Sequence, residues 1–138
     1  MPSAAANVEV LKQVYERWHD TKAGSADEFF EILDDHILWG SIPRGKAPME
    51  FAKQYNSKTA LRAYFDTLTS EWSMIHYTMD QYIADGDMVV ARGSCSWTNK
   101  KTGKTVETPK VDVWRFKGGK AVEFYEYFDT AAAMAAAT

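Results

Sequence analysis

Apolar positions recur along this chain with two different periods, and the change from one to the other falls near residue 70. Before it, Val8, Leu11, Tyr15 and Trp18 return at steps of three and four, which predicts an amphipathic helix from about Asn7 to Ala23, ended by Gly24. Ser25 and Glu28 have the spacing of a capping box, and Phe29, Ile32 and Leu33 follow as the stripe of a second, shorter helix. Ile37 to Trp39 reads as a brief strand. Pro43, Gly45 and Pro48 then make Ile42 to Asn56 an irregular loop, long enough to be a mobile lid. Leu61, Tyr64, Phe65 and Leu68 predict a third helix, ending near Ser70.

Beyond that point the period is two. Trp72 to Ala84, Met88 to Thr98, Thr105 to Lys117 and Lys120 to Asp129 read as strands separated by the turn signals Asp85-Gly86, Asn99 to Lys104 and Gly118-Gly119. They predict a four-stranded antiparallel meander, with the alanine-rich tail from Thr130 as a short helix or a frayed end. Helices first and a long antiparallel sheet afterwards give an α+β fold, helices covering one face of a curved sheet, in a single domain over residues 1–138.

Strand parity decides which side chains lie under the helices. On the last strand Val122, Phe124 and Phe128 share a face with Glu126, and an ionised carboxylate in an apolar row is costly unless it is paired or faces a solvated cavity. Glu126 is therefore the leading candidate for chemistry. On the strand before it, Lys110, Asp112 and Trp114 alternate with Val111, Val113 and Arg115, and neither row is clearly the inner one. On the Met88 strand, Val89, Ala91, Gly93, Cys95 and Trp97 alternate with Val90, Arg92, Ser94 and Ser96. Two assignments stay open. Either the small apolar row packs beneath the helices and Arg92, Lys110 and Asp112 face solvent, or that row meets a second subunit and Arg92, Asp112 and Glu126 pair across a pocket. The second assignment predicts a homodimer joined through the outer sheet face.

An aromatic share of 14% among 138 residues suits a core of large rings or a pocket lined by them. With a net charge of -3 and no basic stripe, nucleic acid is a poor partner, and no apolar run is long enough to span a membrane. The single Cys95 excludes an internal disulfide, so a reducing cytoplasm is the expected compartment. No Cys/His cluster has metal-ligand spacing, and no metal or cofactor is expected. His19, His36 and His76 lack a nucleophile or metal partner at useful spacing and read as structural or solvated.

The order helix, helix, short strand, helix and meander, closed by Gly119-Lys120 and then Glu126-Tyr127-Phe128-Asp129, resembles the SnoaL-like branch of the nuclear transport factor 2-like superfamily over nearly the whole chain. That resemblance implies a cone-shaped curved sheet wrapped around helices, an internal apolar cavity and a dimer packed through outer sheet faces; the Ile42 to Asn56 loop, irregular by its prolines and glycine, is expected to border the cavity entrance. Among the relatives, limonene-epoxide hydrolases would place their catalytic acidic residue at Glu126 and their bridging arginine at Arg92. Their second carboxylate falls on Ser94, and their water-holding residues fall near Trp39 and Ser41, so that acid/base pair is incomplete here. The catalytic aspartate of the steroid isomerases is replaced as well, since Asp34-Asp35 leads to Trp39 and Gly40. Asp112 is the candidate for the missing carboxylate.

These readings imply a cofactor-free enzyme of isomerase, cyclase or hydrolase type, using acid/base chemistry on a small apolar molecule. Glu126, Arg92 and Asp112 are its candidate catalytic residues. Tyr15, Trp18, Trp39, Ser94, Lys110, Trp114, Phe124 and Phe128 are the candidate ligand-binding set. The same cavity serves equally for a binding protein without turnover, and the sheet face for a protein-interaction module.

Overall fold

The computed structural model describes residues 3–138. Four helices and five strands follow in the order α1 (Ala4–Asp20), α2 (Ala26–Ile32), β1 (Leu33–Ser41), α3 (Lys58–Glu71), β2 (Trp72–Asp85), β3 (Met88–Asn99), β4 (Thr105–Lys117), β5 (Lys120–Phe128) and α4 (Thr130–Ala136). Ser3, Ser57 and Asp129 cap α1, α3 and α4 by accepting from the amides of Ala6, Ala60 and Ala132. The expected capping box at α2 does not form. Ser25 makes no side-chain cap, and Glu28 turns to Arg17 at 3.0 Å instead.

The meander β2-β3-β4-β5 is antiparallel as expected, but the sheet does not stop there. β1 runs over nine residues rather than three and adds to β5 in parallel, giving the order β1-β5-β4-β3-β2. Trp39 thereby pairs with Phe124, and Ser41 with Glu126. Irregularities at Met74/His76 and Met79/Gln81 bend β2 against β3. Gly93 lies beside the second of them, where a Cβ would stand 1.9 Å from the Thr78 carbonyl oxygen, so only glycine allows this approach. Helices α1 and α3 pack on one face of the sheet, against β2 and β1, and α4 packs on β4.

Register settles the parity question differently from either assignment above. The β3–β4 hairpin pairs odd-numbered residues of β3 with even-numbered residues of β4, so Ala91 faces Asp112 and Gly93 faces Lys110. The row Val89, Ala91, Cys95 and Trp97 is buried within this chain, beneath the helices, together with Asp112 and Lys110. It therefore supplies no argument for a dimer. Arg92 lies on the opposite face, exposed, donating to Gln81 Oε1 at 3.0 Å.

The Ile42 to Asn56 segment has no helix or strand beyond an isolated bridge between Trp39 and Tyr55, yet it is not a loose flap. Met49, Phe51, Ala52 and Tyr55 are buried in the core, and both backbone bonds between Trp39 and Tyr55 tie its end to β1. No helix among the described residues is long and apolar enough to cross a membrane.

Candidate functional site

Under the helices, three neighbouring inward positions of β4 and β5 carry charge: Lys110, Asp112 and, opposite Asp112, Glu126. Lys110 Nζ contacts Asp112 Oδ1, lies 3.0 Å from Glu126 Oε1, and donates to the Tyr77 hydroxyl at 2.8 Å. The other carboxylate oxygens are held by hydroxyls. Tyr15 and Tyr77 donate to Asp112 Oδ2 at 2.5 and 2.9 Å, while Tyr64, at 2.6 Å, and Ser41 donate to Glu126 Oε2. Trp114 Nε1 closes the network by donating to the Tyr15 hydroxyl at 2.9 Å. Buried charge survives only with such partners, and here every ionised oxygen and every ammonium proton has one.

One ammonium against two carboxylates leaves a formal excess of one negative charge in an apolar setting. Burial pushes the Asp112 carboxyl above the usual carboxylate range; Lys110 pulls it down, and Glu126 pushes it up again. For Lys110, burial disfavours the ammonium, but Asp112 and Glu126 outweigh it and hold the amine well above its ordinary pKa. Burial first, and then the nearby carboxylates, raise Tyr15, Tyr64 and Tyr77 in the same way. Lys110 is thus held as a cation, and burial holds the Asp112 carboxyl above the usual carboxylate range.

This network forms the polar part of a pocket of about 80 Å³ whose remaining wall is almost entirely aromatic and aliphatic. Of the residues expected from sequence, Tyr15, Trp18, Trp39, Lys110, Asp112, Phe124, Glu126 and Phe128 line it. Three do not. Arg92 and Ser94 lie on the outer parity of β3, and Trp114, fully buried, supports the pocket from behind through Tyr15. The cation beside Glu126 is Lys110 rather than Arg92. Sequence reasoning missed Tyr64, Tyr77 and Ser41 as carboxylate partners, and Met49, Phe51 and Ala52 as wall residues. Tyr64 carried a signal, since it sits in the apolar stripe of α3 with a hydroxyl that needs a buried partner.

A curved, unclosed sheet laid over helices, with a buried cation–dicarboxylate network at the foot of an apolar pocket, defines the α+β class of this fold. Residues 11–124 match the family model for the SnoaL-like domain, and the chain belongs to that family. The match ends two residues short of Glu126. Among solved structures, a nuclear transport factor 2-like protein of Burkholderia thailandensis is 25% identical, with 100% of this chain and 99% of that one covered at a TM-score of 0.80. A putative SnoaL-like polyketide cyclase of Mesorhizobium loti is 22% identical, covering 87% and 97% at 0.70. TerC, co-crystallised with polyporic acid, is 20% identical, covering 95% and 97% at 0.75. No curated protein matches the chain.

Proposed function

We propose that this protein is a cofactor-free cyclase- or isomerase-type enzyme that moves a proton on a small, largely apolar molecule. The observation that carries the reading is the pairing of Asp112 and Glu126 through Lys110 at the polar end of an otherwise apolar pocket. Proton transfer needs a base, a place to return the proton and a stabiliser for developing negative charge. Asp112 and Glu126 supply acid and base, Lys110 fixes their charges and orientation, and the Tyr64 and Tyr77 hydroxyls, which donate to those carboxylates in the resting site, become free to turn to a forming oxyanion once a carboxylate takes up a proton. The polyketide cyclase and the polyporic acid complex among the similar structures support this choice of class.

Abstraction of a proton beside a carbonyl is the step such reactions share, and it can be watched without knowing the natural substrate. Exchange of α-protons in aryl ketones such as acetophenone and 1-indanone, followed by proton NMR in D2O, is expected to be accelerated by the protein. Asp112→Asn and Glu126→Gln should each lower that acceleration by about 10²–10⁴-fold, with folding checked by circular dichroism. A second reading, binding without turnover, is favoured by one observation: each carboxylate oxygen already has a partner inside the protein. Uptake of the ketones with no exchange in any of them would decide for it.

A homodimer and a cytoplasmic location belong to the same proposal. With the β3 row turned inward, the support for self-association passes to the outer row Val90, Val111, Val113, Tyr125 and Tyr127, together with Ile83, which is 50% exposed. Sedimentation at micromolar concentration should give a dimer that Tyr127→Glu dissociates; a wild-type monomer would remove this part. The lone thiol, buried and free, fits a reducing compartment.

A further inference from the structure

The pocket already holds one cation, and it does so by two means at once. Lys110 Nζ is met by Asp112 and Glu126, and it also stands over the rings of Tyr77 and Phe124, 5.4 and 5.8 Å from their centroids. Both rings belong to the pocket wall, more than half of whose residues are aromatic. An aromatic face carries partial negative charge, so rings presented in this way favour a positive guest over a neutral one of the same shape.

One ammonium does not balance two carboxylates. The other donors, Ser41 and the hydroxyls of Tyr15, Tyr64 and Tyr77, spread the excess negative charge without cancelling it, because a hydroxyl is a dipole with no net charge. Where the dielectric constant is low, that excess acts over several ångströms, so a guest responds to it without reaching a carboxylate oxygen. This matters because each of those oxygens already has a partner.

The kind of cation follows from the same facts. A primary ammonium brings N–H donors that need acceptors, and the carboxylates have none to spare. A methylated ammonium carries its charge inside an apolar sheath and needs no hydrogen bond. A pocket of about 80 Å³ suits a compact group of this kind rather than an extended chain. We propose that the pocket takes a small methylated ammonium ion, held by the aromatic wall and by the negative charge that Lys110 leaves unbalanced on Asp112 and Glu126. The inference rests on the reading of this pocket as a small-molecule site and adds the charge of its ligand. Such an ion shows methyl groups to its surroundings, in keeping with a largely apolar guest.

Choline and 3,3-dimethyl-1-butanol form a matched pair of probes, with a quaternary nitrogen in one where the other has a quaternary carbon. By titration calorimetry the wild type should bind choline about tenfold or more tightly than the alcohol, the scale expected of a desolvated cation among ring faces. Glu126→Gln keeps the shape of the side chain and brings Lys110 and Asp112 into formal balance, so most of that preference should disappear. Equal affinities in the wild type, or an unchanged preference in the variant, overturn the proposal. If the variant does not fold, proton NMR of the wild type serves beside the calorimetry. The equivalent methyl protons of choline should move upfield on binding, through the ring currents of the wall, and no upfield shift overturns the proposal too. Binding of the alcohol alone defeats the inference and leaves the pocket reading standing, whereas failure of both probes removes the two together. A preference for choline without α-proton exchange in the ketones defeats only the catalytic reading.

Discussion

Replacing Lys110 by methionine is expected to destabilise the fold by about 3–5 kcal/mol at pH 7, because removing one partner of a buried ion pair leaves the others uncompensated. Methionine fills most of the lysine stem's volume, so packing loss is a small part of the effect. What remains is Asp112 opposite Glu126, both buried, with only hydroxyl donors to hold them. The deficit should shrink on acidification. Asp112 already has a raised folded-state pKa, so the folded state binds a proton that the unfolded chain releases above about pH 3.9, and its contribution to stability is lost as pH rises. Without Lys110 that shift grows, and protonation at low pH removes the repulsion. Urea denaturation at pH 7 and pH 4.5 measures both parts. Equal stability of variant and wild type at pH 7 would show that the triad does not carry these charges, and Lys110→Met/Asp112→Asn should recover part of the loss.

The second large effect is expected in alkali. Lys110, Tyr15, Tyr64 and Tyr77 all hold their protons well above their ordinary values, through burial and the neighbouring carboxylates. A group whose folded pKa is raised stabilises fully below its unfolded value and loses that contribution as pH climbs past it. With unfolded values of about 10 for tyrosine and about 10.4 for lysine, the window opens near pH 10. Four protons retained only by the folded state correspond to a limiting slope of about 5.4 kcal/mol per pH unit, which exhausts ordinary stabilities of about 5–15 kcal/mol within roughly three units. Cys95, pushed up to about 11 by burial, starts the loss earlier. Tyrosinate absorbance offers the check. The chain has seven tyrosines, and these three should appear only together with unfolding by circular dichroism. Smooth ionisation of all seven in a folded protein would contradict the network.

The helices and the meander were legible because each is written in a local period: Leu11, Tyr15 and Trp18 for α1, Tyr64 and Phe65 for α3, and strand-like runs bounded by turn signals for β2 to β5. The parallel docking of β1 was not, since nothing local in Leu33 to Ser41 names a partner more than eighty residues away. Glu126 stood out as a charge in an apolar row. Its cation was misassigned for a geometric reason: Asn99 to Lys104 sets the β3–β4 register one residue away from equal parity, and a one-residue slip exchanges the two faces of a strand. Arg92 went out and Lys110 came in. Tyr77 was hidden, and the Tyr64 hydroxyl was a signal without an address, because a buried aromatic reads as packing until its hydroxyl's partner is visible.

Because β1 completes the sheet by pairing with β5, the site cannot mature early in folding. Lys110 and Asp112 are neighbours on one strand and come together as soon as β4 pairs with β3, one positive charge balanced by one negative. Glu126 brings the surplus negative charge, and the Ser41 donor that holds it lies 85 residues upstream. Long loops of this kind are slow to close, since their entropy is lost before the contact is made. On sequence separation, Glu126 is expected to reach Asp112 early, through the local β4–β5 hairpin, and to wait with its surplus charge until β1 docks and brings the Ser41 donor.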